Sequence, residues 1–411
     1  QLRKPDPSLP PMVDYWIPFI GSMVTFGINP IKFLQDNRAK YGDHFTFLMF
    51  GRRMTYCLGP DGNNTVFNAK LADVSAEEAY ASLTVPVFGE GVVYDVPNHV
   101  LMDQKRFVKG GFTPDAFRSY VPIIIKEVED YFARACANPV LATSTLSCWD
   151  KEEGIGDIHD ALAHCIINTA THCLMGKEIR SMMDETVAGL YEDMDKGFTP
   201  LNFLFPSLPL PSFRRRDRAH EKMSALFKSI IDERRATGSS PGDMMDVLMN
   251  QHYKDGRPMS DKEAGNLMIA LLMAGQHTSS TTTTWAMLYL AANPSIVDDL
   301  MKEQRRILGD DLSTPLAFEH LREMKLLDSV VRETLRLRPP ILTVIRKVMR
   351  PVSVAGGKYK VPEGHYLGAS AILTQLDEAC FKEAHRFIPA RWLNTEDDED
   401  TDSKDDAVDY G

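Results

Sequence analysis

The stretch SDKEAGNLMIALLMAGQHTSSTTTTWAMLYLAAN, from Ser260 to Asn293, decides the fold because it reads as one very long helix. Ser260 followed three residues later by Glu263 is a capping-box start, and Asn293-Pro294 is a natural stop. About 30 helical residues at 1.5 Å each give a rod of roughly 45 Å, enough to cross a whole domain. Both flanks are rich in Leu, Met, Ala and Ile, which form helices well and favour burial.

The centre of this helix, AGQHTSS from Ala274 to Ser280, has an unusual composition for a helix and is followed by four threonines. Glycine costs backbone entropy, and hydroxyls compete for backbone carbonyls, so we expect the helix to loosen or bend here. Ala274 and Thr278 are four apart and therefore share a face. A small residue beside a hydroxyl leaves a dent that something flat or small can occupy. The alternative is a buried helix whose hydroxyls bond to its own preceding turn.

The composition of the 411-residue chain is that of a globular protein, with 44% hydrophobic and 25% charged residues. Its length suits two ordinary domains or one large helical one. A net charge of -11 without any basic block argues against a nucleic-acid partner. The six cysteines are scattered without CxxC pairing, which favours reduced thiols in a cytosol-facing compartment. The sequence contains no run long and apolar enough to span a membrane.

The remaining patterns predict a mainly α protein with minor β hairpins, since helical stretches do not alternate with strands as in doubly wound folds. Residues 44–50 and 54–58 are β-type runs that predict a hairpin. Residues 75–95 combine aromatics, Pro86 and two glycines, which predicts an ordered loop. Residues 197–216 form a proline-aromatic break that either touches a membrane interface or packs on the body of the protein.

A second candidate constellation lies in LDSVVRETLRLRPP, residues 327–340, where Glu333 and Arg336 are three apart on a predicted helix. Glu333 shares its face with apolar residues, so we expect it to be buried. A buried carboxylate must be paired and fully hydrogen-bonded. A further partner for it is available downstream in FIPARW, residues 387–392.

These motifs, A-G-x-x-T, then E-x-x-R, then F-x-P-x-R-W, in this order and at these separations, resemble the cytochrome P450 family of haem-thiolate monooxygenases. Each motif alone is weak, whereas the ordered set is specific and the resemblance covers essentially all 411 residues. It implies the cytochrome P450 fold, with residues 1–411 as a single haem-monooxygenase domain. It also implies haem b as the cofactor and electrons supplied by NADPH through a flavoprotein reductase.

The resemblance is narrower than the family as a whole. His277 stands before the threonine where most of the family carries an acid, as is characteristic of sterol 14α-demethylases. The segments AEEAYASLTVPVFGEGVVYD, LMDQKRFVKGGF and GFTPLNFLFPSLPLP resemble the fungal branch. That branch removes the 14α-methyl group of lanosterol or eburicol in ergosterol biosynthesis, in three steps that consume oxygen and NADPH and release formate.

The resemblance also implies a role for each matching residue. Thr278 and His277 would deliver protons, while Ala274 and Gly275 would lie against the haem. The other implied positions are the haem propionate ligands Tyr80, Tyr94, Lys105 and Arg346, the sterol-lining residues Phe88, Val93, Phe198, Phe203 and Leu342, and the structural network Glu333, Arg336 and Arg391.

Two departures from the family pattern leave alternatives open. Ile341-Leu342-Thr343 stands where the sterol enzymes usually have Leu-His-Ser, which leaves room for a monooxygenase acting on another lipid or a xenobiotic. No cysteine lies in a Phe-x-x-Gly-x-x-x-Cys-x-Gly context, so we expect the thiolate ligand beyond Gly411 and no metal ligand in this chain. Its absence also permits a non-catalytic lipid-binding protein.

The resemblance extends to location and partners. We expect a longer natural protein at both ends, with an N-terminal anchor in the endoplasmic reticulum membrane and the catalytic part facing the cytosol. The expected partners are a sterol and the NADPH-dependent reductase, and the expected oligomeric state is a monomer. Without its thiolate ligand, we expect residues 1–411 alone to be inactive.

Overall fold

The computed structural model describes residues 6–137, 157–182, 185–198, 208–240 and 242–393, which are mainly helical with two small β-sheets. The chain divides into two compact units. One is the continuous stretch Ala81–Val331, and the other combines Gln1–Tyr80 with Arg332–Gly411. The single-domain organisation of residues 1–411 stays a prediction of the resemblance.

The unit built from both ends of the chain contains all the strands found in the described residues. The predicted hairpin is present as two antiparallel strands, and the second of them pairs in parallel with a strand near the other end of the chain, Met54 opposite Tyr366. The larger sheet has the order β1-β2-β7-β4-β3, and β5 and β6 form a separate pair. The strands are β1 His44–Met49, β2 Arg52–Cys57, β3 Val74–Ser75, β4 Val344–Val348, β5 Val352–Val354, β6 Tyr359–Val361 and β7 Tyr366–Ala369.

Short helices pack around these sheets. Pro30–Tyr41 begins as its sequence suggests, with Asn29 capping the Lys32 amide and proline in the first helical position. The core of this unit is made of aliphatic residues of the sheet and of the helix that follows β2, including Val66, Val348 and Leu367. The helical segments of the unit are Met23–Ile28, Pro30–Tyr41, Gly59–Phe67, Ala371–Gln375 and the short 3-10 turn Pro389–Trp392.

The continuous unit is helical and surrounds the helix Asp261–Ala291, hereafter the long helix. The first half of the long helix is buried on nearly all sides and packs against Ile158–Met182 and Pro211–Thr237. Burial around the full circumference is typical of a core helix rather than a surface one. The other helices are Asn98–Lys109, Pro114–Ala137, Glu185–Asp195, Met244–Met249, Pro294–Leu308 and Phe318–Glu323, and the chain also contains Glu77–Phe88 and Lys325–Leu337.

The loop predicted for residues 75–95 is wrong, because most of this segment is the helix Glu77–Phe88. The Ser75 hydroxyl accepts a hydrogen bond from the Glu78 amide at 3.0 Å, so the helix has a well-formed start. Pro86 lies within the last turn, where a missing N–H removes only one backbone hydrogen bond from a helix that is about to end. The helix then stops at Gly89, which has a φ of 90°.

The proline-aromatic break at residues 197–216 is shorter than predicted. Residues 211–216 belong to the helix Pro211–Thr237, which begins with proline in its first position. Residues 199–207, on which the membrane-interface alternative depends, lie outside the described residues. Within the part of the chain that the structure describes, no helix has the length and apolarity needed to cross a bilayer.

Candidate active site

The Glu333 carboxylate is the most heavily bonded group of the candidate site. Its side chain is 0% exposed, and its two oxygens accept five hydrogen bonds between 2.8 and 3.1 Å. The guanidinium of Arg336 supplies two of them in a bidentate arrangement. The other three come from the Ile388 amide, Arg391 Nε and the Trp392 indole N–H. All these donors except Arg336 lie in the FIPARW segment, so the carboxylate fixes that segment onto the helix.

Arg336 is also completely satisfied. Its Nη1 donates to the carbonyl oxygens of Gln375 and Ala384 at 2.7 and 2.6 Å, and its Nη2 reaches Arg386 O at 3.1 Å. The guanidinium also lies over the ring of Phe381, 5.1 Å from its centroid. Arginine suits this position because its planar fork can serve a carboxylate on one edge and carbonyls on the other. The network therefore ties together segments of chain about 50 residues apart.

The charge state of this network follows from its donors. Burial by itself would raise the pKa of Glu333, since it disfavours the charged form. The hydrogen bonds from Arg336, the Ile388 amide and Trp392, together with the Arg336 charge, outweigh burial and hold that pKa below its ordinary value. Glu333 is thus a permanent anion paired to a permanent cation, which makes it a structural group rather than a proton carrier.

Tyr80 and Arg346, two of the positions assigned to the haem propionates, come together at β4, where Arg346 lies on the strand and Tyr80 reaches it from the helix Glu77–Phe88. The Ile345 amide donates to Tyr80 Oη at 2.9 Å, and Arg346 Nη1 donates to the Ile345 carbonyl at 2.9 Å. Both side chains are half-buried. A phenol and a guanidinium are thereby brought to one place, and both are groups that bind carboxylates well.

The other two propionate positions, Tyr94 and Lys105, belong to the continuous unit. Tyr94 lies in the 3-10 turn Val93–Asp95, and Lys105 is on the following helix, Asn98–Lys109. The side chain of Gln104 connects the two elements, since it accepts from the Val93 amide and donates to the Gly91 carbonyl, both at 2.9 Å. A second phenol and a second cation are thus supplied by neighbouring elements.

The centre of the long helix, where the sequence predicted loosening or bending, is continuous with the rest of the helix, and its hydroxyls bond as in the alternative that the sequence left open. Thr278, Thr282 and Thr284 each donate their hydroxyl proton to the carbonyl four residues earlier, at 2.7 to 2.8 Å. This back-bonding satisfies the hydroxyls without breaking the helix. Ala274 and His277 are exposed, and a Cβ added to Gly275 would meet nothing within 4 Å. The middle of the helix therefore presents a flat, small-residue face with one imidazole beside it.

The predicted sterol-lining residues are only partly brought together. Phe88 and Phe198 contact each other edge to face, with ring centroids 5.5 Å apart, and Val93 packs with them against the same buried cluster. Leu342 lies in the other unit, where its carbonyl accepts a hydrogen bond from the Ser370 hydroxyl at 3.0 Å. Phe203 lies outside the described residues.

Of the described cysteines, Cys57, Cys165 and Cys173 are buried and Cys380 is exposed. Burial raises the pKa of Cys57 and of Cys173 to about 12 and also raises that of Cys165, so these thiols stay protonated. Cys380 is exposed on a turn and lacks the glycines of the family loop. Across the residues that the structure describes, no three His, Cys, Asp or Glu side chains are grouped to hold a metal ion. The thiolate predicted beyond Gly411 stays a prediction.

The family model for cytochrome P450 matches residues 10–407. The chain belongs to the cytochrome P450 family. Its lanosterol 14-alpha demethylase relative from Schizosaccharomyces pombe is 45% identical over 100% of this chain and 80% of that protein. The sterol 14-alpha demethylase CYP51A of Gibberella zeae is 46% identical over 95% and 73%, respectively, and the lanosterol 14-alpha demethylase of Mus musculus is 44% identical over 93% and 73%.

The predicted fold is confirmed by a solved P450 structure, the retinoic acid bound cyanobacterial CYP120A1. It shares 22% sequence identity with this chain and superimposes with a TM-score of 0.77 over 94% of this chain and 82% of its own. Membership of the family implies a haem iron cofactor and electrons from a redox partner, as the sequence predicted. The assignments of individual site residues stay predictions.

The side chains present are compatible with such a cofactor. The small-residue face at Ala274 and Gly275 can lie against a flat macrocycle without displacing any side chain, because nothing occupies the position of a Gly275 Cβ. Tyr80 lies close to Arg346, and Tyr94 lies one element before Lys105, and both of these phenol and cation pairs are side chains that bind carboxylates well. These residues would hold the haem, and Glu333 would hold the chain segment behind it.

Sequence reasoning missed several residues that organise the site. The buried Gln104 accepts from the Val93 amide and donates to the Gly91 carbonyl, and the partly buried Trp392 donates to the Glu333 carboxylate far along the chain. For Trp392 a signal existed, since it ends the F-x-P-x-R-W motif. For Gln104 no pattern was available, because a glutamine on an amphipathic helix is most often exposed.

Proposed function

We propose that this protein is a sterol 14α-demethylase, which removes the 14α-methyl group of lanosterol or eburicol as a haem-dependent monooxygenase. The observation that carries this proposal is the 43–46% identity to several sterol 14-alpha demethylases, including full-length coverage of this chain by the yeast enzyme. Relatives from fungi and from a mammal are named for the same demethylation at this level of identity, which supports the same reaction for this chain.

The haem supplies the activation of molecular oxygen and the oxidation of the substrate carbon. The chain itself has to bind the sterol, exclude water and supply protons. The aromatic pair Phe88 and Phe198, with Val93 beside it, offers the apolar surface that a sterol requires. Because these rings already contact each other and the buried core, the surface is preformed.

Thr278 is suited to hold a proton carrier. Its Oγ1 donates its own proton to the Ala274 carbonyl at 2.7 Å, which leaves the oxygen lone pairs free to accept from a water or a hydroxyl group. The exposed imidazole of His277 stands one residue away on the same helix and can exchange protons with such a water. Proton delivery by this pair requires positioning more than unusual reactivity.

The electrons would come from NADPH through a flavoprotein reductase, and the protein would act at the endoplasmic reticulum membrane with its catalytic part facing the cytosol. We also propose that it acts as a monomer. These features follow from the resemblance to the fungal enzymes.

The test is a titration of the haem-loaded, full-length enzyme with lanosterol while the Soret band is followed. Sterol displacing water from the iron would give a saturable shift toward the high-spin form, and reconstitution with a reductase and NADPH would then release formate. If the haem-loaded enzyme shows neither the Soret shift nor formate release, the fold assignment stands and the proposed sterol substrate is wrong. A protein that takes up no haem is a lipid-binding relative, and the proposed activity is then wrong.

A further inference from the structure

The turn that carries Tyr94 is strained. Val93 has a φ of 54°, in the left-handed region that β-branched residues rarely adopt. Such a conformation persists only where surrounding contacts hold it, and it is found most often at functional sites. In this protein Val93 and Tyr94 are the residues assigned to the sterol and to a haem propionate, so the strain lies where geometry matters most.

Asp95 Oδ2 accepts from the Gly91 amide within this turn at 2.7 Å, and the contacts to the neighbouring helix are made by Gln104, which is only 1% exposed. Its Oε1 accepts from the Val93 amide at 2.9 Å, and its Nε2 donates to the Gly91 carbonyl at 2.9 Å and to Tyr253 Oη at 3.2 Å. The two backbone partners fix the orientation of the amide, since a flipped group would place donor against donor. Every polar partner of this side chain is therefore specified.

The same side chain is linked to the start of the long helix. Tyr253 donates its hydroxyl proton to Glu263 Oε1 at 3.1 Å, and Glu263 also accepts from both outer nitrogens of Arg257 and from the Ser260 hydroxyl. Glu263 belongs to the capping box that begins the long helix. Gln104 is thus the connection between the strained turn and a rigid, charge-paired helix terminus.

A second fastening acts on the residue before this turn. Asn266 on the long helix donates to the Glu90 carbonyl at 2.9 Å, and a Cβ at Gly89 would overlap its amide at 2.4 Å. Asn266 therefore holds Glu90, the residue before the turn. Gln104 holds the turn itself, through the Gly91 carbonyl and the Val93 amide.

We propose that Gln104 is a positioning residue for the monooxygenase reaction. It holds the 91–95 turn against the helix Asn98–Lys109 and thereby sets the place of Val93 and Tyr94 relative to Lys105. This inference rests on the proposed function, since it assumes that Tyr94 and Lys105 serve the haem and Val93 the sterol. It assigns Gln104 no contact with either.

The test uses Gln104→Met in the haem-loaded enzyme, which keeps the size of the side chain and removes all three hydrogen bonds. Amide hydrogen exchange at residues 91–95 should become at least about tenfold faster, because the Val93 amide loses its acceptor. The dissociation constant for lanosterol should rise about tenfold and haem should transfer faster to apomyoglobin. Tyr253→Phe keeps both backbone contacts of Gln104 and should give smaller changes in all three measurements.

The matched control is Asp103→Ala. Asp103 is also buried on the same helix, at 4% exposure, but its carboxylate accepts from the Lys254 amide at 3.0 Å and pairs with Arg106 at 3.4 Å, and these polar partners lie outside the 91–95 turn. Asp103→Ala should therefore lose about as much global stability as Gln104→Met. Its amide exchange at residues 91–95 and its affinity for lanosterol should stay as in the wild type.

The outcomes separate this inference from the proposed function. If Gln104→Met and Asp103→Ala change turn exchange and ligand affinity equally, or if exchange rises while sterol and haem binding stay unchanged, Gln104 is not a positioning residue. If the wild type ignores lanosterol, the proposed substrate is wrong, and the comparison of turn exchange and haem transfer between the two variants decides the role of Gln104.

Discussion

Replacing Glu333 by glutamine changes the charge of the buried network while keeping its shape. One oxygen remains and can still accept from Arg336 Nη2, the Ile388 amide and Arg391 Nε. The new amide nitrogen then faces Arg336 Nε and the indole N–H of Trp392, which are both donors. Two hydrogen bonds become donor-donor contacts, and the guanidinium of Arg336 loses its counter-charge inside the protein.

The magnitude follows from these contacts. A buried donor left without an acceptor costs about 1–3 kcal/mol, and removing one partner of a buried ion pair costs about 3–5 kcal/mol. We therefore expect Glu333→Gln to lower the free energy of unfolding by about 3–5 kcal/mol, a large share of the roughly 5–15 kcal/mol that natural domains possess. The assay is urea unfolding followed by tryptophan fluorescence and by haem absorbance, with the midpoints compared between variants.

The control is Glu319→Gln, which makes the same chemical change on an exposed carboxylate paired with Arg118 at 2.6 Å. Surface ion pairs contribute little, so its unfolding midpoint should match that of the wild type. A Glu333→Gln protein that folds, keeps haem and unfolds at the midpoint of Glu319→Gln would show that the network does not stabilise this part of the chain.

Three further predictions concern other described residues. Burial, with the nearby charge of Arg53, lowers the pKa of His365 from 6.5 to about 4. Between these pH values the unfolded chain binds a proton that the folded chain does not, so the free energy of unfolding should fall by at most about 3 kcal/mol as the pH drops from 6.5 to 4. His365→Leu should remove this pH dependence of the urea midpoint. Thr278→Val should keep the sterol-induced Soret shift but slow formate release at least about tenfold. The control Thr282→Val loses an equivalent 2.8 Å hydroxyl bond one turn later and should leave the rate of formate release unchanged. Equal rates in the two variants would contradict a role of Thr278 in proton delivery. Gly275→Ala should stabilise the haem-free chain by about 0.5–1 kcal/mol, because the added Cβ meets no atom within 4 Å. Gly275→Leu should lower the haem content of the protein. Full haem loading of the leucine variant would show that the haem does not lie against Gly275.

The parts of the structure that the sequence predicted well depend on neighbours within one turn of chain. The capping box of Ser260 and Glu263 needs only residues three apart, and it is present with both reciprocal hydrogen bonds. The β1–β2 hairpin is a similar case on a longer scale, because its two β-type runs and the glycine-containing turn between them lie within about 15 residues. Such signals remain readable whatever the rest of the chain does.

The failures have equally local causes. Pro86 and the glycines near it outweighed the acidic, serine-capped start in our interpretation of residues 75–95, although a proline in the last turn costs a helix little. In the long helix, the run of hydroxyl residues predicted loosening or bending, and the structure keeps the stretch helical while Thr278, Thr282 and Thr284 bond to the carbonyl four residues before them, which was the alternative that the sequence left open. Propensity arguments weigh residue types, whereas the structure depends on where in the helix each one lies.

Burial of Glu333 was foreseeable from its apolar helix face, but most of its surroundings were not. Arg391 could be named because a family motif contains it. The Ile388 amide and the carbonyl oxygens that Arg336 binds have no sequence signature, since every residue carries those groups. Gln104 was missed for the same reason, because its partners in the turn are backbone atoms.

The parallel pairing of β2 with β7 has a consequence for how the chain is made. One edge of the strand that contains Met54 can be hydrogen-bonded only after Tyr366, roughly 310 residues later, has been synthesised. At about 5–20 residues per second, that edge stays open for roughly 15–60 s on the ribosome, while residues 81–331 emerge and can fold on their own schedule. During that interval β2, already paired with β1, has one open edge that is able to accept another chain. We therefore expect nascent chains ending before residue 366 to engage chaperones through residues 44–57, and the slowest step of folding to be the closure of this sheet.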